Sequence, residues 1–444
     1  MKLAVIGAGW AGLAAAVAAV SGGHSVTVCE AARTLGGRAR TLLPGRLTDC
    51  NSDGADAAAT LDNGQHIMIG AYRETLALMH QVGVEPADAL LAMPLTLRFP
   101  DGYGIALPDW PAPLDAVFGI VTAAHWNWRD KASLLRIAAR WRLARFGCAP
   151  GDSVSDVCRG LTARVLAELI EPLCVSALNT PATRSSGRVF LRVVRDALFG
   201  KGYGRWGGSN LLLPRRDLGK LLPDAAFQWL TQRGATVRSG HRVEAIAASA
   251  STTGAKAGWL VDGRQFDAVI LACPPWEAAR LVQASGANAL NGIDAADWAQ
   301  RALTLEHEAI ATVYATSRRR LELPMLALRT TPEAPAQFVF DRGQLGGPDG
   351  LLAFVVSASQ GDRDTLQRQV IAQAHGLGWT DVRLLRTVLE KRATFACTPH
   401  VKRPAVAVAP GLLACGDYVD GPYPATLEGA VRSGLQAASL IGMP

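Results

Sequence analysis

The chain has 444 residues, and its composition is that of a folded protein with a large apolar core. Hydrophobic residues make up 49% and charged residues only 19%, which excludes an intrinsically disordered protein. The formal net charge of +7 leaves three interpretations open: no functional meaning, an anionic membrane surface as a partner, or a nucleic acid as a partner. No nucleic-acid-binding motif accompanies the basic excess, and no uncharged apolar run reaches about 18 residues. The sequence therefore predicts neither a nucleic-acid partner nor a membrane-spanning helix.

The eight cysteines are scattered and form no Cys-x-x-Cys pair. This pattern predicts no disulfide framework and no metal site, and it favours a reducing, cytoplasmic location. The chain passes from Lys2 directly into an apolar segment, which is not the pattern of a signal peptide.

The first predicted elements form a βαβ unit. Residues 2–6 predict a buried strand, a glycine turn leads into an alanine-rich helix, and residues 24–30 predict the next parallel strand. An alanine-rich helix can lie close to a sheet. The chain therefore begins as a nucleotide-binding α/β domain.

The turn between the first strand and helix has the spacing Gly7-x-Gly9-x-x-Gly12. Gly7 permits a tight turn, Gly9 lets a pyrophosphate approach the backbone, and Gly12 lets the helix pack on the strand. Glu30 ends the second strand, where a carboxylate accepts hydrogen bonds from ribose hydroxyls. The helix N-terminus supplies free N–H groups to phosphates. Together these features predict a dinucleotide site.

A second glycine loop, LGGRART at 35–41, follows the βαβ unit. Its glycines allow close approach to a cofactor, and Arg38 can face a phosphate or the flavin edge. This continuation is typical of FAD enzymes of the glutathione-reductase-like group rather than of NAD enzymes.

Nucleotide-domain patterns recur in separated parts of the chain, with mixed helical and loop sequence between them. We therefore predict an α/β fold: a discontinuous, glutathione-reductase-like FAD-binding Rossmann domain with an α+β substrate domain built from insertions. The FAD-binding domain is predicted to comprise residues 1–75, 206–275 and 401–444. The substrate domain is predicted to comprise residues 76–205 and 276–400.

The C-terminal part carries a third cofactor motif, Cys415-Gly416-Asp417, followed by a helix that starts near Thr426. Asp417 is expected to accept hydrogen bonds from a ribityl chain, and the helix N-terminus is expected to stabilise negative charge on a reduced flavin. No cysteine or histidine lies between Asp417 and Gly429, which argues against covalent attachment there.

His66 closes the segment LDNGQH at 61–66. Two interpretations are open: a histidine that packs or hydrogen-bonds near the cofactor, or a catalytic acid.

The fingerprint and GGRART, with DNGQHIMIGAYRET, EPLCVSALNTP and GDYVDGPYPATLEGAVRSG, resemble the FAD-dependent amine oxidase and phytoene desaturase superfamily. Within it they most resemble the hydroxysqualene dehydroxylases. The likeness spans the chain and implies non-covalent FAD. It places on the cofactor Gly7, Ala8, Gly9, Ala11, Gly12, Glu30, Arg33, Gly37, Arg38, Gly64, Gln65, His66, Val243, Gly416, Asp417, Thr426, Leu427 and Ala430. Thr426 stands where amine oxidases carry a cage tyrosine, which argues against an amine substrate.

The resemblance implies removal of the allylic hydroxyl of hydroxysqualene to give squalene, by hydride delivery from reduced FAD. An external reductant must then regenerate the reduced cofactor. A proton must reach the leaving hydroxyl, and the candidate donors are His66, Tyr423, Asp420 and Glu171. The alternatives are a carotene-type desaturase and a prenyl-lipid carrier without redox activity; an amine oxidase ranks third.

Residues 129–146 predict a basic amphipathic helix. Its predicted apolar face comprises Leu134, Ile137, Ala138 and Trp141. A candidate interfacial anchor precedes it and comprises Phe118, Ile120, Val121, Trp126 and Trp128. Either the helix contacts an anionic membrane or it is an ordinary surface helix with a solvated basic face. The isoprenoid substrate favours a peripheral location at the inner face of the cell membrane.

Overall fold

The computed structural model describes residues 1–42, 60–249, 258–287 and 294–441. The β-strands are β1 (Lys2–Ile6), β2 (Ser25–Glu30), β3 (Met68–Ile69), β4 (Leu90–Met93), β5 (Thr96–Arg98), β6 (Gly104–Ala106), β7 (Leu211–Pro214), β8 (Thr236–Ser239), β9 (Ile246–Ser249), β10 (Gly258–Val261), β11 (Arg264–Phe266), β12 (Ala268–Leu271), β13 (His307–Thr316), β14 (Met325–Ala327), β15 (Phe338–Asp341), β16 (Leu351–Ser359), β17 (Arg383–Phe395), β18 (Ala407–Ala409) and β19 (Leu412–Ala414).

The α-helices are α1 (Trp10–Ser21), α2 (Arg73–Gln81), α3 (Pro86–Ala89), α4 (Leu114–Thr122), α5 (Trp128–Leu143), α6 (Val154–Val157), α7 (Ala163–Val165), α8 (Glu171–Leu178), α9 (Gly187–Phe199), α10 (Leu218–Leu221), α11 (Pro223–Gln232), α12 (Pro275–Ala284), α13 (Ala295–Leu303), α14 (Arg363–Gly376) and α15 (Leu427–Ser439). A π-helical turn at Leu166–Ile170 joins α7 to α8.

A six-stranded sheet carries the nucleotide-binding half, in the order β18-β19-β12-β1-β2-β8. Its strands pair in parallel except for β18, which pairs antiparallel at one edge. The sheet takes two strands from each of three separated segments of the chain. Strand β1 is almost wholly apolar and buried because helices cover a parallel sheet on both faces. The predicted α/β fold with a parallel sheet is confirmed.

A five-stranded antiparallel sheet, in the order β14-β15-β16-β13-β17, forms the second half. Its pairing places Thr312 opposite Val355 and Tyr314 opposite Ala353. Successive residues of a strand point to opposite faces. Ala311 and Val313 accordingly pack with residues of α14, whereas Tyr314 packs into the main core shared with the parallel sheet. One face of this sheet is therefore turned toward the nucleotide-binding half.

Helix α5 confirms the predicted helix but corrects its limits and its orientation. It ends at Leu143 rather than at residue 146, because Arg145 and Phe146 have φ values of +50° and +57°, which a right-handed helix cannot continue. Leu134 and Ile137 are 4% and 3% exposed, so the apolar face predicted for a membrane packs inside the protein.

The predicted interfacial anchor is also wrong in two positions. Ile120 and Trp126 are buried, and the indole Nε1 of Trp126 donates to Glu168 Oε2 at 2.8 Å. Phe118, Val121 and Trp128 are exposed. The sequence pattern could not separate the two sets because both are apolar. In the part of the chain that the structure describes, no helix combines the length and apolar character needed to cross a bilayer.

Candidate functional site

The glycine turn between β1 and α1 is closed so tightly that side chains do not fit. Gly7 has φ +113°, and a Cβ on it would lie 2.5 Å from the carbonyl oxygen of Ala272. A Cβ on Gly12 would lie 2.0 Å from the carbonyl oxygen of Gly7. Gly9 is the N-cap of α1, so the helix starts directly at the turn. The N–H groups of its first turn are thereby directed to the carboxyl edge of the sheet, where dinucleotides bind.

Glu30 stands at the same edge, at the end of β2. Its carboxylate accepts from the backbone N–H of Ala8 at 2.7 Å and from that of Ala32 at 2.8 Å. These bonds fix the carboxylate beside the glycine turn, as a ribose-binding residue requires. Neighbouring Arg33 is exposed.

The second glycine loop crosses the first. Gly36 donates to the carbonyl oxygen of Ala8 at 2.8 Å, and a Cβ on Gly37, at φ +61°, would lie 3.1 Å from the Cα of Gly9. Arg38 follows and donates through Nη2 to Asp417 Oδ1 and through Nη1 to the Ala393 carbonyl at 2.6 Å. The arginine thus joins the loop to the C-terminal motif and to the antiparallel sheet. The Arg38 side chain is only partly buried, and its pKa is raised because Asp417 stabilises its charge more than desolvation disfavours it.

The C-terminal motif reaches the same edge through β19 and α15. Gly416 donates to Ser433 Oγ at 2.8 Å, and Thr426 caps α15 by accepting from Gly429 N at 3.0 Å. A Cβ on Gly434 would lie 2.2 Å from the Ala11 carbonyl, so α15 and α1 pack backbone to backbone. Both helices begin where parallel strands end, so two positive dipole ends lie at this edge.

These residues fit a flavin dinucleotide. The two glycine loops leave a strip of backbone without side chains beside a fixed carboxylate, and the helix N-termini offer donors to phosphates. Val243 is buried, and its carbonyl accepts from Arg280 Nη2 at 3.2 Å. Its backbone is thus held rigidly, as contact with an adenine would require.

His66 is half-buried beside this edge and held in one orientation. Its Nδ1 lies 3.0 Å from the carbonyl oxygen of Gly64. A carbonyl oxygen only accepts, so Nδ1 carries the proton and, in the neutral ring, Nε2 offers a lone pair. Burial, with a further contribution from Arg38, lowers the pKa of His66. The histidine therefore rests neutral and must take up a proton before it can donate one. The preceding Gln65 accepts from Arg342 Nη1 at 3.3 Å.

Strand β13 contributes residues that the sequence did not single out. The phenol of Tyr314 donates to the carbonyl oxygen of Asp62 at 3.0 Å, which fixes the strand over the His66 segment. Two residues earlier on the same face, the Oγ1 of Thr312 is buried and has no hydrogen-bond partner among the described residues. A Cβ on Gly64 would lie 3.7 Å from this oxygen and 3.8 Å from His66 Cε1. Thr312 and His66 thus border the same space above Gly64.

The wall beside Thr312 is apolar. By strand register, one sheet face carries Thr312, Tyr314, Val355, Ala353, Phe338, Phe340, Met325 and Ala327. The same face continues to Arg386, opposite Tyr314, and to Ser357 and Glu390, both opposite Ile310, so polar side chains border its apolar part. These apolar side chains are buried in the main core.

Two further polar side chains near Arg38 were not predicted. The hydroxyl of Tyr418 is buried without a partner in the described structure, and burial raises its pKa far above the usual value. His307 lines a narrow cleft with Arg38, Trp276 and Asp417. Burial lowers the pKa of His307, and Arg38 lowers it further. Tyr418 follows β19 and His307 begins β13, and only the tertiary fold brings them to Arg38.

The other candidate proton donors are engaged elsewhere. The phenol of Tyr423 donates to Asp196 Oδ2 at 2.7 Å, and burial raises its pKa to about 12. The side chain of Asp420 is 71% exposed and pairs with Arg403 at 2.9 Å. Glu171 lies half-buried near Cys158 and Cys174, and burial raises its pKa. Of the four candidates, His66 lies half-buried beside Gly64, whereas the Asp420 side chain lies at the surface.

Fold and site together define a flavin-dependent oxidoreductase, and the chain belongs to the flavin-containing amine oxidoreductases, whose family model matches residues 10–442. The chain is 25% identical to the hydroxysqualene dehydroxylase of Zymomonas mobilis, with 98% of each chain covered. It is 28% identical to that of Sinorhizobium fredii, over 98% of this chain and 97% of the relative. An oxidoreductase from Methanosarcina mazei has the same fold, with a TM-score of 0.70 at 17% identity over 99% of this chain and 100% of that one. The expected resemblance is thereby confirmed, and the family implies a flavin cofactor.

Proposed function

We propose that this enzyme removes the allylic hydroxyl of hydroxysqualene to give squalene, with FAD held non-covalently. The observation that carries the proposal is the buried Thr312 hydroxyl, which has no partner in the described structure and lies beside His66 next to apolar side chains of β14–β16. An isoprenoid alcohol has one polar group on a hydrocarbon chain, and the Thr312 hydroxyl lies next to a group of apolar side chains on β14–β16. The similarity to hydroxysqualene dehydroxylases over nearly the whole chain supports the same substrate class.

The reaction replaces a C–O bond by a C–H bond and releases water. The allylic alcohol takes up one hydride and one proton, and the oxygen leaves with that proton. Bound in its reduced form, the flavin supplies the hydride, and an external reductant restores it. The chain's own task is to exclude water from an allylic cation, to align the carbon and to bring the proton. The buried wall of β13–β16 provides the first two functions.

We assign the proton to His66 rather than to Tyr423, Asp420 or Glu171. His66 borders the space above Gly64, whereas the Tyr423 phenol is committed to Asp196 and Asp420 is paired at the surface. Because desolvation lowers its pKa, His66 takes up its proton only at a more acid pH than an ordinary histidine does. A turnover limited by this proton rises toward acid pH. The neighbouring Thr312 hydroxyl is placed to orient the leaving oxygen.

The substrate and product dissolve in lipid bilayers rather than in water. We therefore propose a cytoplasmic enzyme that associates peripherally with the inner face of the cell membrane, where the substrate is taken up. The formal net charge of +7 favours an anionic surface.

The test is a single turnover with anaerobically reduced holoprotein. Addition of hydroxysqualene should restore the yellow absorbance of the oxidised flavin, with one squalene formed per flavin. Squalene itself, which lacks the hydroxyl, should leave the flavin reduced. A flavin that stays bleached with hydroxysqualene would contradict the proposal and direct the search to oxidised enzyme with polyenes. A purified protein without any flavin would overturn the redox assignment.

A further inference from the structure

Helix α4 exposes an apolar stripe along its whole length. Leu114, Val117, Phe118 and Val121 lie at positions i, i+3, i+4 and i+7, and they are 62%, 46%, 41% and 53% exposed. Ile120 on the opposite face is buried and holds the helix on the protein. A continuous exposed apolar stripe of this kind is unusual on a protein surface that contacts only water.

Helix α5 carries a second exposed stripe, opposite to the one that packs inside. Trp128, Leu135 and Leu143 are 74%, 38% and 86% exposed, with exposed alanines at 132 and 139 completing the spacing. Lys131 Nζ donates to the carbonyl oxygen of Val121 at 2.6 Å and so ties α5 to the end of α4. The two stripes together are called the α4–α5 surface.

The exposed charges of residues 110–146 have one sign, and the exposed acid Asp109 lies just before this segment. At 100° per residue, Arg129, Arg136 and Arg140 flank the α5 stripe on one side, and Lys131 and Arg142 flank it on the other. The acids of residues 110–146 are Asp115 and Asp130, and each is only 3% exposed. Asp130 is used inside, where it closes the capping box of α5 and accepts from Thr162 Oγ1 at 2.7 Å. Every exposed charge of this segment is therefore positive.

We propose that the α4–α5 surface docks on an anionic phospholipid bilayer. Apolar side chains enter the acyl boundary while the flanking arginines meet phosphates, which is the arrangement of an interfacial helix. A second copy of the chain is a poorer occupant, because a two-fold contact would oppose like charges around both stripes. The inference deepens the proposed function by naming the face that meets the membrane, but lipid binding itself requires no turnover.

The experiment is flotation of the purified holoprotein with vesicles of phosphatidylcholine alone or mixed equally with phosphatidylglycerol. The protein should float with the mixed vesicles, and high salt should reduce binding because the arginine–phosphate attraction is screened. Phe118→Ser should lower the partition coefficient about tenfold. The matched control is Phe227→Ser on α11, since Phe227 is 40% exposed and lies outside the surface. Arg140→Gln should cost about fivefold, whereas Arg363→Gln on α14 should cost nothing measurable.

Three results would overturn the docking surface. The first is equal binding, or none, with the two vesicle types. The second is an equal loss for Phe118→Ser and Phe227→Ser. The third is a dimer in sedimentation that Phe118→Ser dissociates, which would assign the surface to a second copy. Circular dichroism and retained flavin absorbance establish that each variant is folded. Turnover of detergent-solubilised hydroxysqualene is measured separately, so a wrong substrate leaves the vesicle result intact.

Discussion

Helices α1 and α5 differ in where they place their apolar residues. In α1, nine of twelve residues are buried, and the helix is pressed between the parallel sheet and α15. In α5, five of sixteen residues are buried, and two of those five are the polar Asp130 and Ser133. Helix α1 uses its surface for the fold, whereas α5 leaves apolar side chains outside. The contrast teaches that the nucleotide-binding half buries its apolar side chains within the protein. The α4–α5 surface leaves apolar side chains exposed, and these are the side chains that we propose dock on a bilayer.

The largest effect is expected in the nucleotide-binding half, where the packing around Gly12 leaves no space for a side chain. Gly12→Ala should drive the α1 backbone away from the turn, because the new Cβ would lie 2.0 Å from the Gly7 carbonyl. We expect loss of bound flavin and a fall in the free energy of unfolding on the order of 4 kcal/mol or more. The flavin-to-protein absorbance ratio and thermal melting measure both. The control Gly376→Ala adds a Cβ that meets no atom within 4 Å beyond its own helix backbone and chain neighbours, and it should change neither. Normal flavin content in Gly12→Ala would contradict the conclusion that the nucleotide-binding half is tightly packed at the glycine turn.

Two adjacent leucines of α5 test whether one helix has a packed and an open face. Leu134 is 4% and Leu135 is 38% exposed. Leu134→Ala should lower the free energy of unfolding by about 2 to 5 kcal/mol, and Leu135→Ala by less than about 1 kcal/mol. Thermal unfolding of both variants measures the difference. Equal destabilisation would show that the outer stripe is also packed.

The surroundings of His66 in the nucleotide-binding half also determine its protonation state. His66→Gln should retain flavin but slow turnover by about a hundredfold, and it should remove the rise in turnover toward acid pH. The exposed His80, which pairs with Glu85, supplies the control variant His80→Gln, whose pH profile should match the wild type. A wild-type pH profile in His66→Gln would move His66 to a packing role and leave the proton to another group.

A smaller effect is expected at Asp62, whose pKa burial raises from 3.8 to about 6. The folded chain binds this proton more tightly than the unfolded chain does, so the contribution of Asp62 to stability is present at acid pH and is lost as the pH rises toward 6. The loss amounts to about 3 kcal/mol at most. In Asp62→Asn, melting temperatures should lack this pH-dependent decrease, while bonds from Thr41 and Leu218 can still be accepted. Parallel wild-type and variant profiles would refute the assignment.

The sequence predicted those parts of the site in which the backbone restricts the residue type. Gly7 and Gly12 stand where a Cβ collides with a carbonyl, and that restriction is visible as a spacing. Thr312 and His307 could not be found in this way, because a non-local strand pairing carries β13 over the cofactor edge. The sequence also could not predict which of the two apolar stripes of α5 packs inside the protein and which faces outward. Both are apolar at helical spacing, and only tertiary packing decides which one is buried.

The most direct test of the proposed reaction is one turnover of reduced holoprotein with hydroxysqualene in deuterium oxide, with the product examined by mass spectrometry. The N–H positions of a reduced flavin exchange with solvent, so hydride delivery should place one deuterium on the carbon that lost the hydroxyl. Squalene carrying one deuterium is the expected product. Unlabelled squalene, or no squalene at all, would contradict hydride transfer to an allylic cation in this enzyme.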